Sequence, residues 1–436
     1  MNALSKKEIV LISFMLFSMF FGAGNLIFPP FLGQSAGDQV WLSLAGFILS
    51  AVGLPILGVA AIAKAGSFYE LSSRVHPAFA RLFPLLIYVS IGPALAIPRA
   101  GSLAYEMGMV PFLSETAAAV PRGLALYTLV FFALVFWVSL SPSKLVDRFG
   151  KLMTPALLIL LLLIFARSLL NPKGELIPAE GAYAAHPVLQ GFLEGYLTMD
   201  ALAALVFGIV VSNTLRAKGV SEPGQLSRYM MAAGMGAGIL LAVIYLMLGI
   251  LGSSHAFLGR AENGAQILTN VMGHLFGSSG ILLLGGIFTV ACLCVSIGLV
   301  TSCSQYFSGL FPRVSYRCWV GLLCIASMLI ANMGLTLILK ISVPILGSIY
   351  PVAIVLIVFA LADPLLSPRS CVYVTAVGLV VLYGIFDLVN TVMIPRSMDF
   401  LLAGLPLYRE GAGWAVPAVV GIMAGLGLDL LFKRAR

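Results

Sequence analysis

FGAGNLIFPPFLGQSAG, residues 21–37, interrupts a long apolar run with glycines, an asparagine and a proline pair. In lipid, a backbone N–H or C=O released from the helix ladder has no water to turn to. Such a break is tolerated only where it lines a cavity or meets other protein. Gly22 and Gly24 let the backbone approach a ligand closely. Asn25 adds a side-chain oxygen, and Pro29–Pro30 bar an undistorted helix. The half-helix ends at such a break present unpaired N–H groups to an anion and unpaired carbonyls to a cation. Packing through small residues competes as a reading of the glycine spacing, but packing requires neither the asparagine nor the prolines.

A similar interruption, Gly195-Tyr196-Leu197-Thr198-Met199-Asp200, follows about 175 residues later. Around the two breaks the chain is apolar: 60% of its 436 residues are hydrophobic and 10% charged, against about 25% charged in a soluble domain. A spanning helix needs roughly 20 apolar residues. The pattern predicts an all-α integral membrane protein with about 12 such helices, at 9–33, 39–63, 80–108, 123–141, 150–170, 191–214, 229–252, 279–309, 316–332, 337–361, 371–390 and 412–432. Residues 263–276 are amphipathic and short, and are expected to form a helix on the surface. Five helices from the first break (9–170) and five from the second (191–361) make units of similar length. An odd number per unit forces opposite orientations, so the spacing predicts a 5+5 inverted repeat with discontinuous helices 1 and 6. Two peripheral helices (371–432) complete the chain.

Basic residues set the orientation. Those of alternate loops, from Lys6 and Lys7 through Lys144, Arg148 and Lys151 to Lys433 and Arg434, outnumber the opposite set, such as Arg122, Arg167 and Arg260. Both termini are therefore expected in the cytoplasm. The first apolar run is too long for a signal-peptide core and reads as a retained helix. The net charge of +8 is accounted for by loop lysines and arginines, so no nucleic-acid partner is expected. The six cysteines form no CxxC pair and read as small packing residues.

Several polar residues stand out against this apolar background. Gly298-Leu299-Val300-Thr301-Ser302 in helix 8 sets two adjacent hydroxyls where they either bond back to their own helix or, with the first break, close a cation site. Asp200 is costly near mid-bilayer unless paired or hydrated. Coupling to a cation or proton, contact with a substrate ammonium, and a structural pair with Arg99 all remain open for it. Asp387 reads as a packing residue and Glu194 as a solvated one. The four histidines, His76, His186, His255 and His274, fall in expected loops. No HExxH, GxSxG or P-loop pattern occurs, so no enzymatic activity is expected. A channel is the other class to weigh, and would need a continuous lined pore.

FGAGNLIFPPFLGQSAG (21–37), IGPALAIPRA (91–100), GYLTMDALAALVFGIVV (195–211) and ISVPILGSIYP (341–351) resemble the branched-chain amino acid transport system II carrier proteins, bacterial Leu/Ile/Val:cation symporters. The likeness runs from about residue 8 to the C-terminus. It implies a carrier of leucine, isoleucine and valine in the bacterial inner membrane, driven by Na⁺ or H⁺. No cofactor beyond the transported ion and no obligate protein partner are implied. A more distant resemblance is to the leucine-transporter fold, through Gly22-Ala23-Gly24-Asn25 and Phe28-Pro29, without the arginine that precedes the Phe-Pro there. That resemblance implies substrate contact by the backbone of Ala23 and Gly24, and a sodium ligand at Asn25. It also implies a second sodium between carbonyls of Ser18 and Phe21 and the Gly298, Thr301 and Ser302 segment. Thr198, Met199 and Asp200 join the substrate set by position in helix 6.

Overall fold

The computed structural model describes residues 4–113, 121–170, 174–261, 263–362 and 371–434, and every regular element in them is helical. Nine segments among the described residues are long and apolar enough to cross a membrane, and Tyr316–Ala331 and Ala415–Leu431 are shorter apolar helices. Large apolar side chains stand open on the outside, among them Leu126, Trp137, Ile159, Leu163 and Leu329. In water such a belt would drive aggregation, whereas in lipid it is the expected outer surface. The chain is a multi-pass membrane protein.

Helix α1 (Lys6–Phe20) opens on a capping box in which Ser5 and Glu8 satisfy each other's backbone N–H groups. It stops at Phe21–Gly22, and α2 (Ala23–Ala36) starts from Gly22 in an extended conformation. After α3 (Val40–Ile48), α4 (Leu54–Ala65), the short α5 (Phe68–Ser73), α6 (Pro77–Val89), α7 (Ala96–Gly108), α8 (Pro121–Ser139) and α9 (Thr154–Leu169), the second break separates α10 (Pro187–Tyr196) from α11 (Asp200–Ala217). The remainder comprises α12 (Pro223–Ser254), α13 (Gly264–Phe276), α14 (Ser278–Leu310), α15 (Tyr316–Ala331), α16 (Leu335–Ala362), α17 (Cys371–Leu388) and α18 (Ala415–Arg434).

Three of the four π-turns among the described residues lie within or at the start of long helices, at Leu49–Gly53, Ser90–Ala94 and Val146–Met153, and the fourth, Val389–Met393, ends α17. Each of the first three contains or just precedes a proline (Pro55, Pro93 or Pro155) whose missing N–H and ring displace the i→i−4 ladder. The middle one also carries Gly92 in a non-helical conformation (φ −83°, ψ −119°), which kinks the chain between α6 and α7.

The half-helices α2 and α10 pack on α12 and α3 respectively, α1 packs on α12, and α14 runs along α7. Helices α17 and α18 pair with each other, and α17 packs on α16 and accepts from Arg74 through the Tyr373 hydroxyl. The expected surface helix at 263–276 is α13, and it sits deeper than the sequence suggests. Ile267, Leu268, Val271, Met272 and Leu275 are buried on a stripe facing α2 and α14. An amphipathic pattern says only that one face is apolar, and here that face is covered by protein. His255, expected in an open loop, is likewise buried at the end of α12.

Candidate functional site

The two breaks meet. Asn25 lies in the first turn of α2 and Asp200 is the first residue of α11. Asn25 Nδ2 donates to Asp200 Oδ2 at 2.6 Å. The hydroxyl of Tyr245, from α12, donates to the same carboxylate oxygen at 2.9 Å and also touches Asn25 Nδ2. All three residues are buried. A carboxylate at this depth is costly unless donors surround it, and the start of α11 adds a favourable helix dipole.

The other end of the Asn25 amide repairs the first break. Its Oδ1 accepts the Gly22 N–H at 3.0 Å. That N–H therefore does not continue the α1 ladder to the Ser18 carbonyl.

The second break turns on Met199, which adopts a left-handed conformation at φ 68°. For a residue with a side chain this costs about 1–2 kcal/mol, and such strain gathers at functional sites. The turn frees the carbonyl of Leu197, which accepts from Arg99 Nη1 at 3.0 Å. It also frees the N–H groups at the head of α11. Ala201 N–H donates to the Tyr350 hydroxyl at 3.2 Å, and the Tyr350 ring stacks on Tyr196 of α10 with centroids 4.5 Å apart.

Arg99 is buried, and its Nε has no hydrogen-bond partner. No ion pair joins it to Asp200 among the described residues: the guanidinium serves the broken backbone and the carboxylate serves Asn25 and Tyr245. Gly24 leaves room for this arrangement, since a Cβ there would lie 3.0 Å from Arg99 Nη2 and 3.2 Å from the Leu197 carbonyl oxygen.

These groups surround one small cavity. Ala23, Gly24, Asn25, Arg99, Thr198, Met199 and Asp200 line its polar side, and Phe20, Ile91, Val295 and Leu299 its apolar side. Its volume is about 20 Å³, room for about one water. All six residues expected to contact substrate border this space. A polar rim of one guanidinium, one carboxylate and broken-helix backbone matches the charged ends of a zwitterion, and the opposite wall suits an apolar side chain.

The residues expected to hold a second cation lie one turn further along α1 and α14. Gly298 abuts α1, where an added Cβ would meet Met19 Cγ at 2.9 Å. Ser302 Oγ donates to the Gly298 carbonyl at 2.9 Å. Ser18 Oγ lies 2.5 Å from Thr154 Oγ1, which donates to Phe14. Thr301 is buried and its hydroxyl makes no hydrogen bond. The Tyr316 hydroxyl, which donates to the Ser139 carbonyl, lies beside it. The oxygens of Ser18, Gly298, Thr301 and Ser302 are hard, neutral donors of the kind an alkali cation prefers. Among the described residues there is no cluster of three His, Cys, Asp or Glu side chains that would hold a transition metal.

Tyr245 and Arg99 complete the site in ways the sequence does not announce. Tyr245 is one aromatic in a long apolar helix and reads as core until the fold sets it against Asp200. Arg99 stands out as a buried charge, but its target is a backbone carbonyl with no side-chain signature.

The whole chain has relatives. Residues 5–431 match the family described as branched-chain amino acid transport protein. The branched-chain amino acid permease BraB of Bacillus subtilis is 45% identical, over 98% of this chain and 97% of that protein. The branched-chain amino acid transport system 2 carrier protein of Pseudomonas aeruginosa is 40% identical over 100% and 99%. The permease BrnQ of Escherichia coli is 37% identical over 98% and 97%. Among solved structures the fold resembles Mhp1, a nucleobase-cation-symport-1 family transporter, with a TM-score of 0.59 and 14% identity over 96% of this chain and 91% of that one.

Proposed function

The chain belongs to the family of branched-chain amino acid transport proteins, a family of permeases and not of enzymes, and from that premise we propose that it is a cation-coupled symporter that brings leucine, isoleucine and valine into a bacterial cell. The observation that carries the reading is the joining of two broken helices, through Asn25, Asp200, Arg99 and the Leu197 carbonyl, around one cavity. The substrate carboxylate meets the N–H groups of Ala23 and Gly24 with the Arg99 guanidinium nearby. The ammonium meets Asp200 and the carbonyls beside Thr198, and the branched side chain faces Ile91, Val295 and Leu299. One methylene in an apolar pocket is worth about 1–3 kcal/mol, and the apolar wall accepts all three branched side chains without ranking them.

In this reading twelve helices span the inner membrane with both termini in the cytoplasm. Residues 9–170 and 191–361 form two inverted five-helix units, and 371–432 lie at the periphery. Na⁺ binds between the Ser18 and Phe21 carbonyls and Gly298, Thr301 and Ser302, with Thr301 turning away from the Tyr316 side to take part. Asn25 contributes to the substrate site and, through the second lone pair of the Oδ1 that accepts the Gly22 N–H, to a cation site beside it. With the cavity at about 20 Å³, substrate entry requires the half-helices to part, and refilling the site permits rocking to the other side.

A second reading is favoured by one observation: Asp200 borders the cavity as a buried carboxylate with no ion pair among the described residues, so taking up a proton there would cancel an uncompensated buried charge. Leucine uptake into proteoliposomes under separately imposed Na⁺ and pH gradients decides between the two. The Na⁺ gradient alone should drive accumulation. Accumulation under the pH gradient alone overturns the sodium assignment in favour of Asp200, and absence of leucine counterflow removes the carrier reading altogether.

A further inference from the structure

A larger cavity, of about 320 Å³, lies below the central one, lined by Gly66, Ser67 and Tyr69 before and in α5, by Ser212 and Arg216 on α11, and by Tyr88 and Tyr306. The same three helical walls serve both spaces, offset by about half a turn to two turns. Ile91 lines the upper cavity and Tyr88 the lower, Ala203 the upper and Leu205 the lower, Leu299 the upper and Tyr306 the lower. The side chains between these levels form the floor of the upper cavity.

That floor has a defined construction. The rings of Tyr88 and Tyr306 stack with centroids 3.8 Å apart and planes 2° from parallel. The Tyr88 hydroxyl reaches the carbonyl of Val206 on α11 at 3.5 Å, the long limit of a hydrogen bond. Cys303 Sγ donates to the Tyr88 carbonyl at 3.5 Å from the α14 side. Tyr88 is buried although it borders the lower cavity, because Tyr306 covers it.

We propose that the stacked pair Tyr88–Tyr306 is the gate between the central site and the cytoplasmic vestibule, the barrier an amino acid crosses on release. This rests on the transport reading above. Three features suit the pair to opening as well as closing. The contacts that hold it are one stack and one long hydrogen bond, not a salt bridge or an interlocked core. The bond to Val206 ties it to α11, the inner half of the second broken helix, so movement of α11 releases it. Gly92, in the π-turn one turn beyond Tyr88, supplies a bend about which α6 swings. A Cβ at Gly92 would lie 2.9 Å from Cys303 Sγ, so the bend sits against the same floor.

Cys303 lies in the floor and is buried, which makes it the reporter. A membrane-impermeant cationic methanethiosulfonate is applied to inside-out and to right-side-out vesicles holding the full chain, and modification of Cys303 is read by peptide mass spectrometry. Tyr306→Ala should raise the rate from the cytoplasmic side by up to about tenfold, the loss expected for one aromatic stack, with no rise from the outside. Tyr306→Phe keeps the stack and should match the parent. Equal rates in Tyr306→Ala and the parent, or a rise of the same size from both sides, would overturn the gate. If Tyr306→Ala does not accumulate in the membrane, Tyr306→Leu gives the same comparison, since it fills space without stacking. Leucine counterflow in the parent is measured in parallel. Its absence would sink the transport reading, while the labelling result separately decides whether the floor is a barrier.

Discussion

Asn25 Nδ2 donates to Asp200 Oδ2 at 2.6 Å across 175 residues of chain, so the first turn of one half-helix is fastened to the first turn of another. The Tyr245 hydroxyl shares the same acceptor. Asp200→Asn keeps the size but replaces a charged acceptor facing two donors. It should lower stability by about 1.5–3 kcal/mol, the range for hydrogen bonds to charged groups, read as a fall in the thermal midpoint of the detergent-purified protein. Tyr245→Phe in the same chain should add less than its separate effect, because the two act in one network. Arg99→Gln should not restore stability, since Arg99 is held by the Leu197 carbonyl and not by Asp200. Rescue by Arg99→Gln would refute this account of the pair.

Thr301→Val preserves shape and removes one oxygen. The hydroxyl it deletes is buried without a hydrogen bond, so the variant should fold at least as stably as the parent in the absence of Na⁺. If Thr301 is a sodium ligand, the Na⁺ concentration for half-maximal leucine uptake should rise by about tenfold or more, equivalent to roughly 1.4 kcal/mol. Leucine affinity should fall with it at fixed Na⁺ by linkage. An unchanged Na⁺ dependence removes Thr301 from the cation site.

Gly24→Ala adds one methyl group at the cavity rim, 3.0 Å from Arg99 Nη2. The flexible end of Arg99 must give way and its bond to Leu197 is disturbed. The expected result is a rise of about tenfold or more in the leucine concentration for half-maximal uptake, with near-normal membrane insertion. Wild-type affinity in Gly24→Ala would show that the first break does not touch the substrate.

Met199→Gly relaxes the left-handed turn at φ 68°. Glycine adopts that conformation at no steric cost, which offsets its greater freedom in the unfolded chain. Met199→Gly and Met199→Ala both lose the packing of a buried side chain, so their difference reports the turn: Met199→Gly should be the more stable of the two by about 1 kcal/mol, whereas Met199→Val, branched at Cβ, should lose about 1–2 kcal/mol through the turn. A Met199→Gly variant less stable than Met199→Ala would mean that the turn carries no strain.

The breaks were legible because glycine, asparagine and proline have no ordinary reason to sit inside a lipid-spanning helix. Phe21–Gly22 and Leu197–Met199 are where the helices stop. Asp200 was legible as an inward-facing charge on cost alone, and it is buried among donors. Partnerships were harder to read. The sequence kept Arg99 open as the partner of Asp200 because opposite charges attract, but a guanidinium also satisfies a released carbonyl, and backbone acceptors leave no trace in residue type. Tyr245 was invisible for the opposite reason, being an ordinary residue for its surroundings. The burial of α13 was missed because lipid headgroups and neighbouring helices ask for the same amphipathic stripe. The π-turns at Leu49–Gly53, Ser90–Ala94 and Val146–Met153 carried a visible signal in their prolines, but proline marks a distortion without saying which kind.

The bond between Asn25 and Asp200 also bears on how many parts of this machine move separately. Two interrupted helices make four rods, and if each rod tilted independently the protein would visit arrangements in which one half had shifted and the other had not. In a carrier coupled to an ion, slippage of that sort would let the ion cross without its cargo. One amide and one carboxylate, with a phenol bracing both, remove most of that freedom by making α2 and α11 share a hinge. The cost of desolvating Asp200 is then the cost of a tight gear.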